Sequence, residues 1–172
     1  MRWAVKKYKV PKRNISGAIR YLHITKFKKK EFVLNTNLTV EEEKLKLAGT
    51  MLYWGEGTKG GSSVAFTNSN PEMIAIFVRF LREICGIDTK RLRLGLHLYP
   101  DHNEGELKKY WAKIARVPLS QMNKAYIHVG TKGSYKMKSK YGTVAVVYSD
   151  VKLLELVNSW IAEYSSILSR PA

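Results

Sequence analysis

An acid between two glycines, Gly55-Glu56-Gly57, closes the stretch KLKLAGTMLYWGEGTKGG over residues 44–61. A carboxylate flanked by residues without side chains can reach a ligand or a divalent metal. At the C-terminal end of a helix that acid opposes the macrodipole, and the small cost points to use. The same predicted helix carries Ala48, Gly49 and Thr50 in its middle, where small side chains let another backbone come close. At about 100° per residue, Leu45, Gly49, Leu52 and Glu56 share one stripe, with Ala48 and Gly55 beside it. Leu47, Met51 and Trp54 fall nearly opposite. The expectation is that Leu47, Met51 and Trp54 anchor the helix in its own domain. Leu45, Ala48, Gly49 and Leu52 would then meet a second helix at short range. Two helices paired this way bring two Glu56 carboxylates to the pairing axis. Over a basic surface they could share a divalent metal next to DNA phosphates.

The surface is basic. Thirty Lys and Arg stand against fourteen Asp and Glu among 172 residues, a net charge of +16. Residues 1–30 hold eleven basic residues and no acid, whereas residues 31–89 hold five basic and eight acidic. Residues 90–172 hold fourteen basic and six acidic. So uneven a balance implies a polyanionic partner, and nucleic acid leads. Membrane binding is disfavoured, because no basic helix has a continuous aromatic face and no apolar run approaches the ~20 residues of a span. The N-terminus shows no signal-peptide core, and an intracellular location is expected. The one cysteine, Cys85, excludes an internal disulfide and a cysteine-rich zinc site. Its apolar, helical context predicts a core thiol. His23, His97, His102 and His128 match no familiar zinc spacing, and no GxSxG or P-loop motif is present.

The elements that must position these residues follow from local signals. In the first segment, Pro11 and "KRNISGAIRYL" predict a turn and a short helix with Lys12, Arg13 and Asn14 at its N-terminal end. A recognition helix reaches a groove there, so the segment resembles the second half of a helix-turn-helix; the alternative is a basic arm lying along phosphates. Thr39 with three following acids predicts an N-cap for the helix that ends in Glu56. "SSVAFTN" reads as a strand, and Asn70-Pro71 with Gly86 bracket a second helix. "RLRLGLHLY" alternates, with Leu92, Leu94, Leu96 and Leu98 on one buried face and Arg91, Arg93, His97 and Tyr99 on a basic, exposed face that would lie in the DNA groove, with the 132–140 loop on the backbone. "GELKKYWAKIARV" predicts an amphipathic helix stopped by Pro118. "AYIHVG" and "YGTVAVVYS" read as strands around the basic loop "TKGSYKMKSK", and Asp150 caps a last helix. The order is α+β, with a largely antiparallel sheet covered by helices on one face. A basic N-terminal extension (residues 1–38) would precede the α+β domain (residues 39–172). Lys59, Lys132 and Lys136, on glycine-containing or basic loops, suit phosphate contact.

"LAGTMLYWGEG", followed by strand, helix, strands and helix, resembles the LAGLIDADG homing-endonuclease family over roughly residues 40–165. The nine positions "GTMLYWGEG" align from the acid backward, with Glu56 and Gly57 at the final acid and glycine. The departures are Gly49 at the first position, Trp54 at the earlier acid position, Glu in place of Asp, and a helical insertion at about 101–124. The resemblance implies that the motif helix forms the interface between two similar halves, and that Glu56 coordinates the catalytic metal, Mg²⁺ or Mn²⁺. It also implies that Asn68 helps to position water, and that Lys138 or Lys140, with Lys59 as a rival, supports the developing charge. With one motif copy, the family logic gives a homodimer reading a near-palindromic site in double-stranded DNA. Two alternatives remain at this point: a regulator of the same fold that does not cut, and an RNA-binding or intron-folding module.

Overall fold

The structure is a computed structural model, and it describes residues 32–130 and 139–169. Compact units divide the chain between residues 31 and 32. Lys12, Arg13, Asn14, Lys132, Lys136 and Lys138 lie outside the described residues. The fold is α+β: among the described residues, four helices and a five-stranded, mostly antiparallel open sheet.

Helix α1 spans Val40–Glu56 and begins as its sequence dictates. The Thr39 side chain accepts from the Glu42 N–H, and the Glu42 carboxylate accepts from Thr39 N–H at 2.8 Å, a reciprocal capping box. Those hydrogen bonds from Thr39 hold the Glu42 carboxyl below its ordinary range. The chain then turns straight into β1 (Gly57–Thr58) and back along β2 (Val64–Asn68). Helix α2 (Pro71–Arg79) starts with Asn70 as N-cap and Pro71 at the first position, then continues through a wider π-helical turn over Phe80–Ile84. It stops at Gly86, whose φ of +56° favours glycine. A Cβ there would also strike the Val33 carbonyl oxygen at 1.8 Å.

Strand β3 (Arg93–Leu98), helix α3 (Glu104–Ala115) and strand β4 (Tyr126–Ile127) follow. Strand β5 (Thr143–Tyr148) and helix α4 (Val151–Leu168), capped by Asp150, complete the domain. The sheet order is β1-β2-β5-β3-β4; only β3 and β4 pair in parallel, because α3 returns the chain before β4 begins. Leu94, Leu96 and Leu98 of β3, Val144 and Val146 of β5, and Val64 and Phe66 of β2 are buried on one face. The four helices bury their apolar sides in the same core, where Phe77 meets Phe66 at 4.4 Å and Phe80 at 5.8 Å.

Residues 32–38, expected in the extension, are tied into this domain. Val33 N–H donates to Gly86 O and Asn35 N–H to Ile84 O, while Phe32 and Leu38 pack on the core. Two further expectations change at α1. Its buried residues are Leu45, Gly49, Thr50 and Tyr53, so Leu45 and Gly49 face the chain's own core and not the helix of a second copy. A Cβ on Gly49 would sit 2.2 Å from Cγ of Phe80: the close approach that glycine permits is with α2's own π turn. The side expected to anchor the helix is the outer one, with Leu47 and Trp54 each 40% exposed. Both sides of this helix carry apolar residues, and periodicity alone cannot tell which one a neighbour covers. Ala48 and Leu52 lie on the border and are half-buried.

Candidate nucleic-acid interface

The strand registers bring residues far apart in sequence to one end of the sheet. Gly57 pairs with Phe66 and Thr58 with Ala65, so the start of β1 and the end of β2 share an end. Asn68 pairs with Val144 near the start of β5, and Thr143 pairs with His97 near the end of β3. Glu56, Asn68, Lys140, His97 and Tyr99 therefore converge on the same end of one sheet. Lys59, Arg91 and Arg93 belong to the opposite end, because β1 carries Lys59 away from Glu56 and β3 begins at Arg93.

Glu56 is exposed where α1 runs into β1. No ion pair among the described residues engages its carboxylate. Its two glycines differ in purpose. A Cβ on Gly57 would lie 2.3 Å from the Tyr53 ring, so that glycine answers to the chain's own packing; beside it, the Tyr53 hydroxyl donates to Thr58 O. A Cβ on Gly55 would meet nothing within 4 Å among the described residues, so none of them requires that glycine.

Asn68 is partly committed. Its Oδ1 accepts from Asn70 N–H at 2.8 Å and shapes the entry to α2, while its Nδ2 donors remain available among the described residues. Lys140 is exposed, with its Nζ 5.2 Å from the Tyr141 ring centroid. Tyr141 is fixed in turn: its ring stacks on Tyr110 at 4.4 Å and its carbonyl accepts from Trp111 Nε1 at 2.8 Å. The inserted helix α3 thus anchors the turn that carries Lys140.

The open face of the sheet runs between its edges. It carries Ala65 and Thr67 of β2, Thr143, Ala145 and Val147 of β5, and Arg93, Gly95 and His97 of β3, all half-buried or exposed. Gly95 pairs with Ala145, which pairs with Thr67, so the middle of this face is built of small side chains. A Cβ on Gly95 would meet nothing within 4 Å. Glycine inside a strand costs stability, and no packing among the described residues requires it at Gly95.

Arg91 does not belong to that face. It precedes β3 in a short turn, where its guanidinium donates to Ser149 O at 2.7 Å, pairs with Asp150 Oδ2 at 3.3 Å and lies over the Tyr148 ring at 4.5 Å. With the two charged side chains 20% and 13% exposed, the pair ties β3 to the start of α4 instead of offering a phosphate contact. Its alternation with Arg93 is real in sequence, but the strand starts two residues later. Arg93 is exposed and bends back to Lys90 O and Leu92 O at 2.7 and 2.8 Å. Lys59 is exposed on the β1–β2 turn, where its carbonyl accepts from Asn158 of α4 at 3.1 Å.

Sequence reasoning missed Tyr126 and His128. They lie on the open face beside His97 and Tyr99 through the parallel register His97↔Tyr126. A pairing across 28 intervening residues leaves no local signal, although the mirrored pattern His97-x-Tyr99 and Tyr126-x-His128 could have suggested it. Among the described residues, no group of three or more His, Cys, Asp or Glu is arranged to hold a metal, and no helix is long and apolar enough to cross a membrane. No protein-family model and no curated protein sequence matches the chain.

Proposed function

We propose that this chain is a sequence-specific double-stranded DNA-binding protein of LAGLIDADG-like architecture. It pairs as a homodimer through α1 and hydrolyses phosphodiesters with a divalent cation held by Glu56. The observation that carries this reading is the convergence of Glu56, Asn68 and Lys140 on one end of the sheet, beside an open face with a small-residue centre. Those three residues come from three different connections of the chain, and an acid, an amide and a cation suit phosphodiester chemistry. The order of helices and strands agrees with the resemblance carried by the motif residues.

The pairing surface follows from the corrected orientation of α1. Val40, Leu47, Met51 and Trp54 line the outer side, with Ala48 and Gly55 as small neighbours. Glu56 ends the opposite stripe of the helix, so twofold contact here pairs the helices without by itself setting the two Glu56 carboxylates on the axis. The donor set fits Mg²⁺ or Mn²⁺ in part: Glu56 is a free, exposed hard-oxygen ligand, and one chain supplies it alone. Phosphate oxygens and water would have to supply the remaining oxygen ligands such a cation takes. When bound, the cation stabilises charge on the phosphoryl oxygens and makes a coordinated water more acidic. Lys140 contributes positive charge toward the phosphate, and the Asn68 amide donates to water or to a phosphate oxygen. Arg93, His97 and Tyr99 project from the open face toward the groove edges.

The test is a randomised duplex library incubated with the protein, with and without Mg²⁺, followed by the Glu56→Gln variant on the selected site. Cleavage should require the cation and fall roughly 10²-fold or more in the variant, the scale of losing one preorganised electrostatic stabiliser. Affinity should stay level or rise, because an acid facing phosphates has been neutralised. Unchanged cutting by Glu56→Gln would reject the mechanism. Tight binding to one site without nicking in Mg²⁺ or Mn²⁺ would make the protein a regulator.

A further inference from the structure

We infer that Tyr126, His97, His128 and Tyr99 form a stacking platform for unpaired nucleobases at the β4 edge of the sheet, in which Tyr126 and His128 lie outside the duplex contacts proposed above and His97 and Tyr99 are shared with them. This inference rests on the nucleic-acid reading but not on cleavage. The four rings form a two-by-two patch on the open face. The register His97↔Tyr126 sets one pair, and the two-residue strand period sets Tyr99 and His128 beside it. Tyr99 stacks on His128 at 5.1 Å, Tyr126 meets His128 edge-on at 5.2 Å, and His97 lies 5.6 Å from Tyr126.

The patch is held in place from beneath and behind. Tyr99 N–H donates to His102 Nδ1 at 3.1 Å, which fixes the imidazole that packs edge-on against the Tyr99 ring at 5.7 Å. His128 N–H donates to Leu98 O at 2.8 Å. The outer rings remain open: Tyr126 is 56% exposed, and His97 is exposed too. Preorganised aromatic faces of this kind bind by stacking, which every base can satisfy once its own face is free. Bases inside a duplex have both faces covered, so the partner is a looped, flipped or single-stranded base.

Charge favours a nucleic-acid partner. Lys124 is exposed two residues before Tyr126, Lys140 is exposed at the same end of the sheet, and the chain carries a net +16. β4 is the last strand in the sheet order and β1, entered from Glu56, is the first. Four strand spacings separate them, about 19 Å. Tyr126 would therefore engage a base at the far edge of the sheet from Glu56, at the sheet end that both share with Lys140.

The experiment uses the full chain with three probes: a short single-stranded DNA and a single-stranded RNA, each containing 2-aminopurine, and a duplex of the same length. Binding should quench 2-aminopurine in a single strand. Tyr126→Ala should weaken single-strand affinity about tenfold or more, the scale of one lost base stack, while Tyr126→Phe behaves as the parent. Duplex affinity should be the same for all three proteins. Whichever single strand binds tighter identifies the source of the base. Single-strand binding without duplex binding would remove the duplex reading and leave the platform standing. Three results overturn the platform: no quenching by the parent, equal losses on single strand and duplex, or a change in sedimentation with no change in single-strand affinity.

Discussion

Gly49 and Glu56 lie on one stripe of the helical wheel, yet their circumstances in the fold are opposite. Gly49 is sealed under Phe80, while Glu56 stands free at the helix end. Replacing Gly49 by Leu should therefore unsettle the domain itself. Overpacking against the Phe80 ring costs about 1–3 kcal/mol or more, measurable as a lower urea midpoint at any protein concentration. A midpoint equal to the parent's would mean that the helix can move off Phe80 at no cost. Cys85 offers a second residue-level check. Burial pushes its thiol well above the ordinary range, leaving almost no thiolate at neutral pH. It should resist a thiol reagent in the native protein and react promptly in denaturant; rapid native labelling would contradict the packing around α2. The sequence made the helix-end acid and the core thiol legible, because each depends on residue type and near neighbours. It could not show that Arg91 is tied to Asp150 or that Tyr126 lies beside His97, because both depend on pairings 59 and 29 residues apart.

Elements were legible wherever a local chemical signal marks an end. Thr39, Asn70, and Asp150 each cap the helix that follows, and the alternating leucines of β3 all turn inward. The parallel pairing of β3 with β4 and the inner side of α1 were not legible, since packing partners decide both. Asp150 joins two of these elements: it accepts from Leu153 N–H at 3.3 Å to cap α4, and it pairs with Arg91 at the foot of β3. Asp150→Ala should lose about 2 kcal/mol, combining a lost cap with a partly buried guanidinium left without its carboxylate. Denaturant titration measures it, and a loss within error of zero would mean the junction is held by Ser149 and Tyr148 alone. The outer side of α1 calls for the contrary result. Leu47→Glu changes an exposed position, so stability should shift by less than about 0.5 kcal/mol. A charged pair facing itself across a twofold contact should nevertheless turn a dimer into a monomer in sedimentation equilibrium. A parent that is already monomeric at micromolar concentration would remove the paired-helix model.

At the scale of the whole molecule, positive charge is distributed so that the cations are not consumed internally. Among the described residues, Lys44, Arg79, Arg91 and Lys108 pair with Glu41, Glu83, Asp150 and Glu104. Three of these pairs sit on helix surfaces within one turn, where they screen acids from the partner at little cost in basic charge. Arg91 drops out of the face expected to lie in the groove, whereas Arg93, Lys124 and Lys140 remain exposed. The first thirty residues add eleven basic residues and contain no acid. A protein with six or more such contacts releases a counterion for each phosphate it neutralises. The logarithm of its affinity should then fall against the logarithm of salt with a slope of roughly −5 or steeper. Between about 50 and 200 mM salt, duplex affinity should drop by ~10³ or more, measured by fluorescence anisotropy on one labelled duplex. Removal of residues 1–30 should flatten the slope by several units if that segment lies along phosphates. A flat response of the intact chain would mean that the +16 faces solvent, and the nucleic-acid reading would fail with it.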